Sequence, residues 1–286
     1  MKIGVLADSF RLPLREGLKK AKEVGVDGVQ LYAVRGEMAP ESLCAQGRRE
    51  LKEYIASLGL EISALCGDLG GHGFERAADN PTKIARSKEI IRLAADLGTP
   101  VVTTHIGVVP EDSLMPEYQA IKNALSEIAK EAASCSTIFA IETGPEPATT
   151  LRRLIDEIDS PGIGVNLDPA NLVMVALDDP VKAVKTLAGK IPHTHAKDGV
   201  NLIPAPAKEV YGSFADGTFG ELKKRYGGDI FQETPLGEGA VKWPEYLQAL
   251  SDINYSGYLT IEREAGANPV EDIAKAVKFL RSLLEK

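Results

Sequence analysis

Helical and extended hydrophobic patterns alternate along the whole chain. In three successive stretches an amphipathic helical pattern ends in a glycine, and a short run rich in β-branched residues follows within a few positions. The glycines are Gly25, Gly59 and Gly98. Each fits the position just after a helix, because glycine adopts the left-handed backbone that ends a helix at little cost. This repetition predicts a chain built from helix and strand units.

Eight short and mostly apolar segments are predicted as strands, with helical patterns between nearly all of them. Near-continuous apolar runs, unlike alternating ones, are typical of parallel strands that are covered on both faces. Eight such strands in a chain of 286 residues match a (β/α)₈ TIM barrel, of the α/β class, better than an open nucleotide-binding sheet. The predicted strands cover about residues 2–8, 28–33, 62–67, 101–107, 138–143, 163–168, 191–197 and 258–263.

The regular alternation of strands and helices is interrupted once, because about 60 residues separate the seventh and eighth predicted strands. We therefore expect a single barrel domain over residues 1–286 with a loop insertion at about 199–240. Loops that follow barrel strands lie at the active-site mouth. The insertion is interpreted either as a lid that excludes water from the site or as a structural excursion that packs on the rim.

Composition narrows the classes of partner and cofactor. The longest apolar runs have five or six residues, far below the roughly 20 that a membrane-spanning helix needs. The chain begins directly with a strand pattern, so we expect a cytoplasmic protein without a membrane partner. A formal net charge of −8 opposes nucleic-acid binding, which depends on lysine and arginine. Glycine-rich nucleotide motifs are absent from the sequence, and the three cysteines show no metal-binding spacing.

Four consecutive predicted strands run into a side chain that can bind a metal or carry a proton. These side chains are Glu142, Asp168, His195 and Glu262. The active sites of TIM barrels form at the C-terminal ends of the strands, and spacings of 26, 27 and 67 residues place one such side chain in each unit. Three carboxylates and one imidazole predict an oxygen-rich site for one divalent metal. Mn²⁺, Mg²⁺ or Co²⁺ is favoured, and Zn²⁺ is compatible with the same ligands.

Six short motifs lie around these residues in a characteristic order. They are Ile-Glu-Thr-Gly at 141–144, Asn-Leu-Asp-Pro-Ala-Asn at 166–171, His-Thr-His-Ala-Lys-Asp at 193–198, Pro-Leu-Gly-Glu-Gly at 235–239, Trp-Pro at 243–244 and Gly-Tyr-Leu-Thr-Ile-Glu at 257–262. Over essentially its whole length the chain resembles the xylose-isomerase-like TIM-barrel superfamily, the sugar phosphate isomerase/epimerase group that includes ketose 3-epimerases, inosose dehydratases and endonuclease IV. The resemblance implies metal binding by the four residues, with Glu142 and Glu262 also carrying protons.

Five further side chains are candidate substrate-binding residues. His72 and His105 follow the third and fourth strands, where each serves either the pocket or a structural role. Asn171 stands where the family often has a histidine, and this departure weakens the transfer of tagatose- or psicose-type substrate preference. Lys197 either neutralises a substrate oxyanion or phosphate or pairs with a carboxylate. Glu238, between two glycines, either approaches the mouth or is a solvated loop carboxylate.

The resemblance implies a divalent-metal-dependent isomerase or epimerase acting on a small sugar or polyol. Removal of a proton next to a ketose carbonyl gives a cis-enediolate, which is reprotonated on the opposite face or on the adjacent carbon. The alternative is an inosose dehydratase-like lyase acting on a cyclic polyol, which shares this first step.

Two other hypotheses stay open. A phosphodiesterase similar to endonuclease IV needs a basic groove and more than the four histidines present. A non-catalytic sugar-binding protein predicts ligand binding without turnover. No glycine-rich phosphate cradle follows the seventh or eighth strand, which favours an unphosphorylated substrate. A homo-oligomer is compatible with the fold, although no decisive exposed apolar stripe indicates one.

Overall fold

Eight parallel strands form a closed barrel, because β1 pairs with both β2 and the last strand, β10. The computed structural model describes residues 1–285, so residue 286, the last of the predicted domain, lies outside the described residues. The barrel strands are β1 Lys2–Leu6, β2 Gly28–Tyr32, β3 Glu61–Cys66, β4 Val101–Thr104, β5 Ile138–Glu142, β6 Ile163–Leu167, β7 His193–Ala196 and β10 Tyr258–Ile261. The predicted TIM barrel is confirmed.

The predicted strands extend further at their C-terminal ends than the observed ones. The fourth, predicted over 101–107, ends at Thr104, and the first, predicted over 2–8, ends at Leu6. The apolar pattern continues past the last paired residue because Ala7 and Ile106 are buried although they lie beyond the strand ends. These C-terminal extensions form the loops of the barrel mouth.

Helices follow the barrel strands, and one apolar cluster fills the space between the two layers. Gly25 and Gly98 end their helices with φ of 83° and 81°, and Gly59 adopts 76°, so the predicted helix ends are confirmed. Within residues 1–285 no helix is long and apolar enough to cross a membrane. The helices are α1 Leu14–Val24, α2 Ala45–Ser57, α3 Asn80–Leu97, α4 Pro116–Ser134, α5 Ala148–Ile158, α6 Pro169–Asn171, α7 Pro180–Thr186, α8 Ala207–Ala215, α9 Phe219–Tyr226, α10 Trp243–Asp252 and α11 Pro269–Leu284.

The insertion between β7 and β10 is a folded unit. It contains α8, α9 and an antiparallel strand pair, β8 Asp198–Asn201 and β9 Phe231–Thr234. Its own apolar cluster joins Val210, Leu222 and Ile230 to Met174, which lies in a π-helical turn directly after α6. The insertion expected at about 199–240 is present between the seventh and eighth barrel strands, and it contains helices and strands of its own. Helices of eight or nine residues have too few turns to give a clear periodic pattern.

Candidate functional site

The four predicted metal-binding residues lie together at one end of the barrel. Glu142 is the last residue of β5, Asp168 follows β6, His195 lies in β7 and Glu262 follows β10. Because β5, β6, β7 and β10 are consecutive neighbours in the barrel, the four side chains form one arc of its mouth. One ligand atom from each of them lies within 4.8 Å of the other three. The structure thus brings together the set that the sequence indicated.

The imidazole of His195 is at the centre of this arc. Its Nδ1 atom lies 3.5 Å from Glu142 Oε1, 3.5 Å from Asp168 Oδ2 and 3.4 Å from Glu262 Oε2. Burial opposes the charged imidazole, but the carboxylates of Glu142 and Glu262 outweigh it and raise the pKa of His195 well above its ordinary value. Three carboxylates at this distance from one nitrogen require a compensating positive charge, which a metal cation supplies as well as a proton does.

Two buried atoms at the centre of the arc have no hydrogen-bond partner. They are Asp168 Oδ2 and His195 Nδ1, and they face each other. The second polar atom of each side chain is occupied. Asp168 Oδ1 accepts hydrogen bonds from the backbone N–H groups of Ala170 at 2.8 Å and Asn171 at 3.0 Å, which starts α6.

His195 Nε2 lies 3.0 Å from Gln30 Oε1. Nε2 also lies 3.2 Å from Asn166 Nδ2, but the shorter contact with the carbonyl oxygen, which only accepts hydrogen bonds, favours the proton on Nε2. That tautomer leaves the lone pair of Nδ1 directed at the carboxylates. Buried polar atoms are rarely left without partners, and here two such atoms point at one position. The donor set therefore fits a divalent cation.

A buried polar layer supports these residues inside the barrel. Asn166 donates from Nδ2 to Glu142 Oε2 at 3.3 Å, and its Oδ1 accepts from His193 Nδ1 at 2.8 Å. Gln30 donates to Thr103 Oγ1 at 2.7 Å, which fixes the direction of its carbonyl toward the site. The sequence analysis missed Gln30 and Asn166. The available signal was a polar residue inside an otherwise apolar strand, which is costly to bury without a partner.

Asn171 and His105 both approach Glu142. Asn171 Nδ2 donates to Glu142 Oε1 at 3.0 Å, and His105 Nε2 lies 3.6 Å from the same oxygen. The other ring nitrogen of His105 lies 3.3 Å from Asp68 Oδ2. Although burial opposes a charged imidazole, Glu142 and Asp68 raise the pKa of His105 to about 10. Asp68, which the sequence analysis also missed, thus holds His105 against the candidate metal centre.

Lys197 is buried beside the other glutamate of the arc. Its Nζ atom donates to Glu262 Oε2 at 3.0 Å and also contacts Glu264 Oε2. Burial opposes the ammonium charge, but the two carboxylates raise the pKa of Lys197 well above its usual range. Burial likewise disfavours an ionised Glu262, yet Lys197 and His195 lower the pKa of Glu262 well below its usual range. Lys197 therefore pairs with the carboxylate of Glu262. Pairing with a carboxylate was one of its two predicted roles.

His72 and Glu238 lie apart from the other candidates. His72 Nε2 is 2.8 Å from Asp216 Oδ1 at the end of α8, so it joins the β3 loop to the insertion. The glycines on both sides of it have φ between 52° and 67°, a left-handed backbone that other residues rarely adopt. Glu238 is exposed, and its charge adds to that of Glu271 in raising the pKa of Lys275 in α11.

A cavity of about 960 Å³ extends from the metal-binding arc to the insertion. Tyr211 of α8 lines it, and a Cβ atom on Gly144 would lie 2.6 Å from the Tyr211 hydroxyl oxygen. Burial, with the charges of Glu142 and Asp168, raises the pKa of Tyr211 well above its ordinary value. The insertion therefore supplies a neutral hydroxyl group beside the ligand residues. Sequence patterns gave no signal for this contact, because it joins segments far apart in the chain.

Comparison with known proteins relates this geometry to a family. A curated relative, the inosose dehydratase of Bacillus anthracis (strain CDC 684 / NRRL 3495), is 29% identical over 142 residues, which span 49% of this chain and 44% of that protein. Among solved structures, a xylose isomerase domain protein from Planctomyces limnophilus is 27% identical, with a TM-score of 0.78 over 99% of this chain and 96% of that one.

A second solved structure, a D-tagatose 3-epimerase-like protein, is 21% identical and has a TM-score of 0.75 over 100% of this chain and 99% of that one. At 21% identity this similarity indicates a shared fold alone. The sequence model of the family described as "Xylose isomerase-like TIM barrel" matches residues 18–283, nearly the whole chain. The chain therefore belongs to the xylose isomerase-like TIM-barrel family.

Proposed function

We propose that this protein is a metal-dependent enzyme that removes a proton next to the carbonyl group of a small sugar or polyol, acting as a sugar epimerase or isomerase. The observation that carries the proposal is the placement of Glu142 and Glu262 at the two ends of the ligand arc. Their carboxylates lie 3.5 Å and 3.4 Å from the same nitrogen of His195, and both line the cavity. Two carboxylates on either side of one position can exchange protons with opposite faces of a bound substrate.

Glu142, Asp168, His195 and Glu262 would hold the divalent cation, with carboxylate oxygens favouring Mn²⁺, Mg²⁺ or Co²⁺ and the imidazole also allowing Zn²⁺. Such a cation polarises a carbonyl oxygen and acidifies the neighbouring C–H bond. Asp168 Oδ2 is the donor that this assignment explains best, because it is buried without a hydrogen-bond partner and lies 3.5 Å from His195 Nδ1.

The two glutamates have different surroundings, which suggests different roles. Glu142 accepts hydrogen bonds from the amides of Asn171 and Asn166, and the ring of His105 lies 3.6 Å from its Oε1 atom, so we assign it as the group that accepts the substrate proton. Glu262 is paired with the ammonium group of Lys197, which brings positive charge and exchangeable protons to the other side of the site. Return of a proton from that side gives epimerisation, and return to the adjacent carbon gives isomerisation.

A dehydratase is the second candidate, and the identity of 29% with an inosose dehydratase favours it. In this case the enediolate expels a hydroxyl group from the next carbon atom. The ammonium group of Lys197 lies on the same side of the site as Glu262. It would assist by protonating the departing hydroxide. Both reactions begin with the same proton transfer to Glu142.

The test is incorporation of solvent deuterium into a panel of ketoses and inososes by the Mn²⁺-loaded protein in D₂O, followed by NMR. Deuterium next to the carbonyl reports the shared first step. An inverted centre, an aldose or a dehydrated product then identifies an epimerase, an isomerase or a dehydratase. We expect Glu142→Gln and Glu262→Gln each to slow exchange by about 10²–10⁴-fold. The glutamine side chain keeps an oxygen atom that can bind the metal, but it cannot accept or return the substrate proton.

Glu245→Gln is the matched control, since Glu245 is an exposed glutamate of α10. Its exchange rate should equal that of the unmodified protein. If the Mn²⁺-loaded protein binds sugars of the panel without any exchange, the proposal is wrong and the protein is a sugar-binding module. Unchanged exchange in both glutamine variants would contradict the assignment of the proton carriers.

A further inference from the structure

The insertion presents aromatic side chains to the cavity that the proposed chemistry does not use. Phe214, Phe219 and Phe231, here called the aromatic wall, all line it. The ring centroids of Phe214 and Phe219 are 4.3 Å apart, and those of Phe219 and Phe231 are 5.7 Å apart. Phe214 is nevertheless 48% exposed. A clustered apolar surface that remains open to solvent gains free energy when an apolar face covers it.

The aromatic wall is continuous with the candidate metal centre, because one cavity includes both. Tyr211 stands between them, with its ring centroid 6.1 Å from that of His105 and 6.4 Å from that of Phe214. The cavity of about 960 Å³ lies near the upper end of the roughly 300–1,000 Å³ range of pockets for drug-sized ligands. A single sugar ring placed on Glu142 would leave the aromatic wall uncovered.

The charges that line the cavity oppose an anionic substrate. Six carboxylate side chains line it, against three from lysine and arginine. Each of these three cations already lies near a carboxylate, since Lys197 pairs with Glu262 at 3.0 Å, Lys223 with Asp229 at 3.0 Å and Arg263 with Glu233 at 2.6 Å. The imidazole of His105 also lies between two carboxylates, 3.3 Å from Asp68 Oδ2 and 3.6 Å from Glu142 Oε1. A phosphate or carboxylate group would therefore find no cation in the lining without a carboxylate partner.

We propose that the substrate is an uncharged carbohydrate of two sugar units, with its carbonyl-bearing unit at Glu142 and Glu262 and the ring of its second unit on the aromatic wall. The inference rests on the proposed function for the first unit and adds the substrate class. A pyranose ring has an apolar C–H face that covers an aromatic surface, while its hydroxyl groups remain at the edge. Gln232 of β9, which is exposed and also lines the cavity, would bind those hydroxyl groups.

The test is isothermal titration calorimetry of the Mn²⁺-loaded protein with D-fructose, with the ketose disaccharides lactulose, isomaltulose and turanose, and with D-fructose 6-phosphate. We expect at least one disaccharide to bind about tenfold more tightly than D-fructose, because its second ring covers the aromatic wall. The phosphate ester should bind no more tightly than D-fructose. Tighter binding of the phosphate ester, or of D-fructose relative to every disaccharide, would overturn the proposal.

Phe214→Ala should weaken binding of the preferred disaccharide about tenfold, with a smaller loss for D-fructose. Leu202→Ala is the matched control, because Leu202 belongs to the same insertion, is 49% exposed and lies outside the cavity lining. It should leave both affinities unchanged. An equal loss for both ligands in Phe214→Ala, or the same effect in Leu202→Ala, would contradict a second-ring site.

Deuterium exchange separates failure of this inference from failure of the proposed function. Exchange into D-fructose without any preference for a disaccharide would leave the proposed function intact and overturn the substrate of two sugar units. A Phe214-dependent preference for a disaccharide, without exchange into any ligand, would support the second-ring site and contradict the proposed chemistry.

Discussion

The barrel mouth divides into two arcs of four adjacent strands. The ligand arc, β5, β6, β7 and β10, supplies the four side chains around the nitrogen of His195. The opposite arc, β1 to β4, supplies groups that contact them, since Gln30 reaches His195 and His105 reaches Glu142. The difference teaches that all four candidate metal-binding donors come from one arc, whereas the opposite arc contributes contacts that orient them, in addition to those of Asn166, Asn171 and Lys197 in the ligand arc.

The strongest test of this division compares one aspartate from each arc. Asp168→Asn should weaken metal binding by more than about 100-fold, since it replaces an orphaned carboxylate oxygen that points at His195. The remaining oxygen can still cap α6, so the fold should persist. Asp68→Asn, after β3, should keep its metal. Elemental analysis after dialysis measures both. Loss of metal from Asp68→Asn to the same extent would place the metal site across both arcs.

A smaller effect is expected from the orienting contact that crosses the barrel. Gln30→Met should lower metal affinity by about 10–100-fold, because His195 loses the carbonyl that holds its proton on Nε2. Competition with a chelator measures the affinity, and thermal unfolding checks that the variant is folded. Gln248→Met on the exposed face of α10 is the control. Equal affinities in the two folded variants would show that the opposite arc does not orient His195.

The smallest expected effect concerns Glu146, which lies where the loops after β4 and β5 join the two arcs. Glu146 follows β5 and accepts a hydrogen bond from the backbone N–H of Val109 at 3.3 Å, while its Oε1 atom has no partner. Burial, partly offset by that N–H group and by the charge of His105, raises the pKa of Glu146 from 4.5 to about 8. Between these values the folded protein holds a proton that the unfolded chain releases. The free energy of unfolding should therefore fall as the pH rises through this window.

Between pH 6 and pH 7 this loss amounts to at most about 1.4 kcal/mol. Glu146→Gln, which is neutral at every pH, should remove this part of the pH dependence and should be more stable than the unmodified protein above pH 8. Urea unfolding at pH 5, 6, 7 and 8.5 measures the effect. Parallel stability curves for the two proteins would show that Glu146 ionises normally in the fold.

The sequence predicted that the four side chains of the ligand arc lie together, and the physical reason is local. Each of Glu142, Asp168 and Glu262 lies at or directly after the end of an apolar strand, and the position of a strand end in a barrel is known from the fold. The eight strands were predictable for the same reason, because continuous apolar runs report burial. The exact strand ends were not, since the chain remains buried after Thr104, where the β4 ladder ends.

The opposite arc and the insertion were not predictable from pattern alone. Gln30 acts across the barrel on His195, and Tyr211 approaches Gly144 from the insertion, so each contact joins segments that the sequence separates widely. His72 and Glu238 show the converse. Both are polar residues flanked by glycines, but His72 contacts Asp216 of the insertion and Glu238 is exposed to solvent. A glycine-rich loop indicates a turn without indicating where the neighbouring side chain points.

The most direct test of the central claim is anomalous X-ray scattering from crystals of the protein loaded with Mn²⁺. The account predicts one strong anomalous peak per chain, in contact with Glu142, Asp168, His195 and Glu262. A chain without a peak at these four residues, or with its peak held by other side chains, would contradict the metal centre and the chemistry proposed from it.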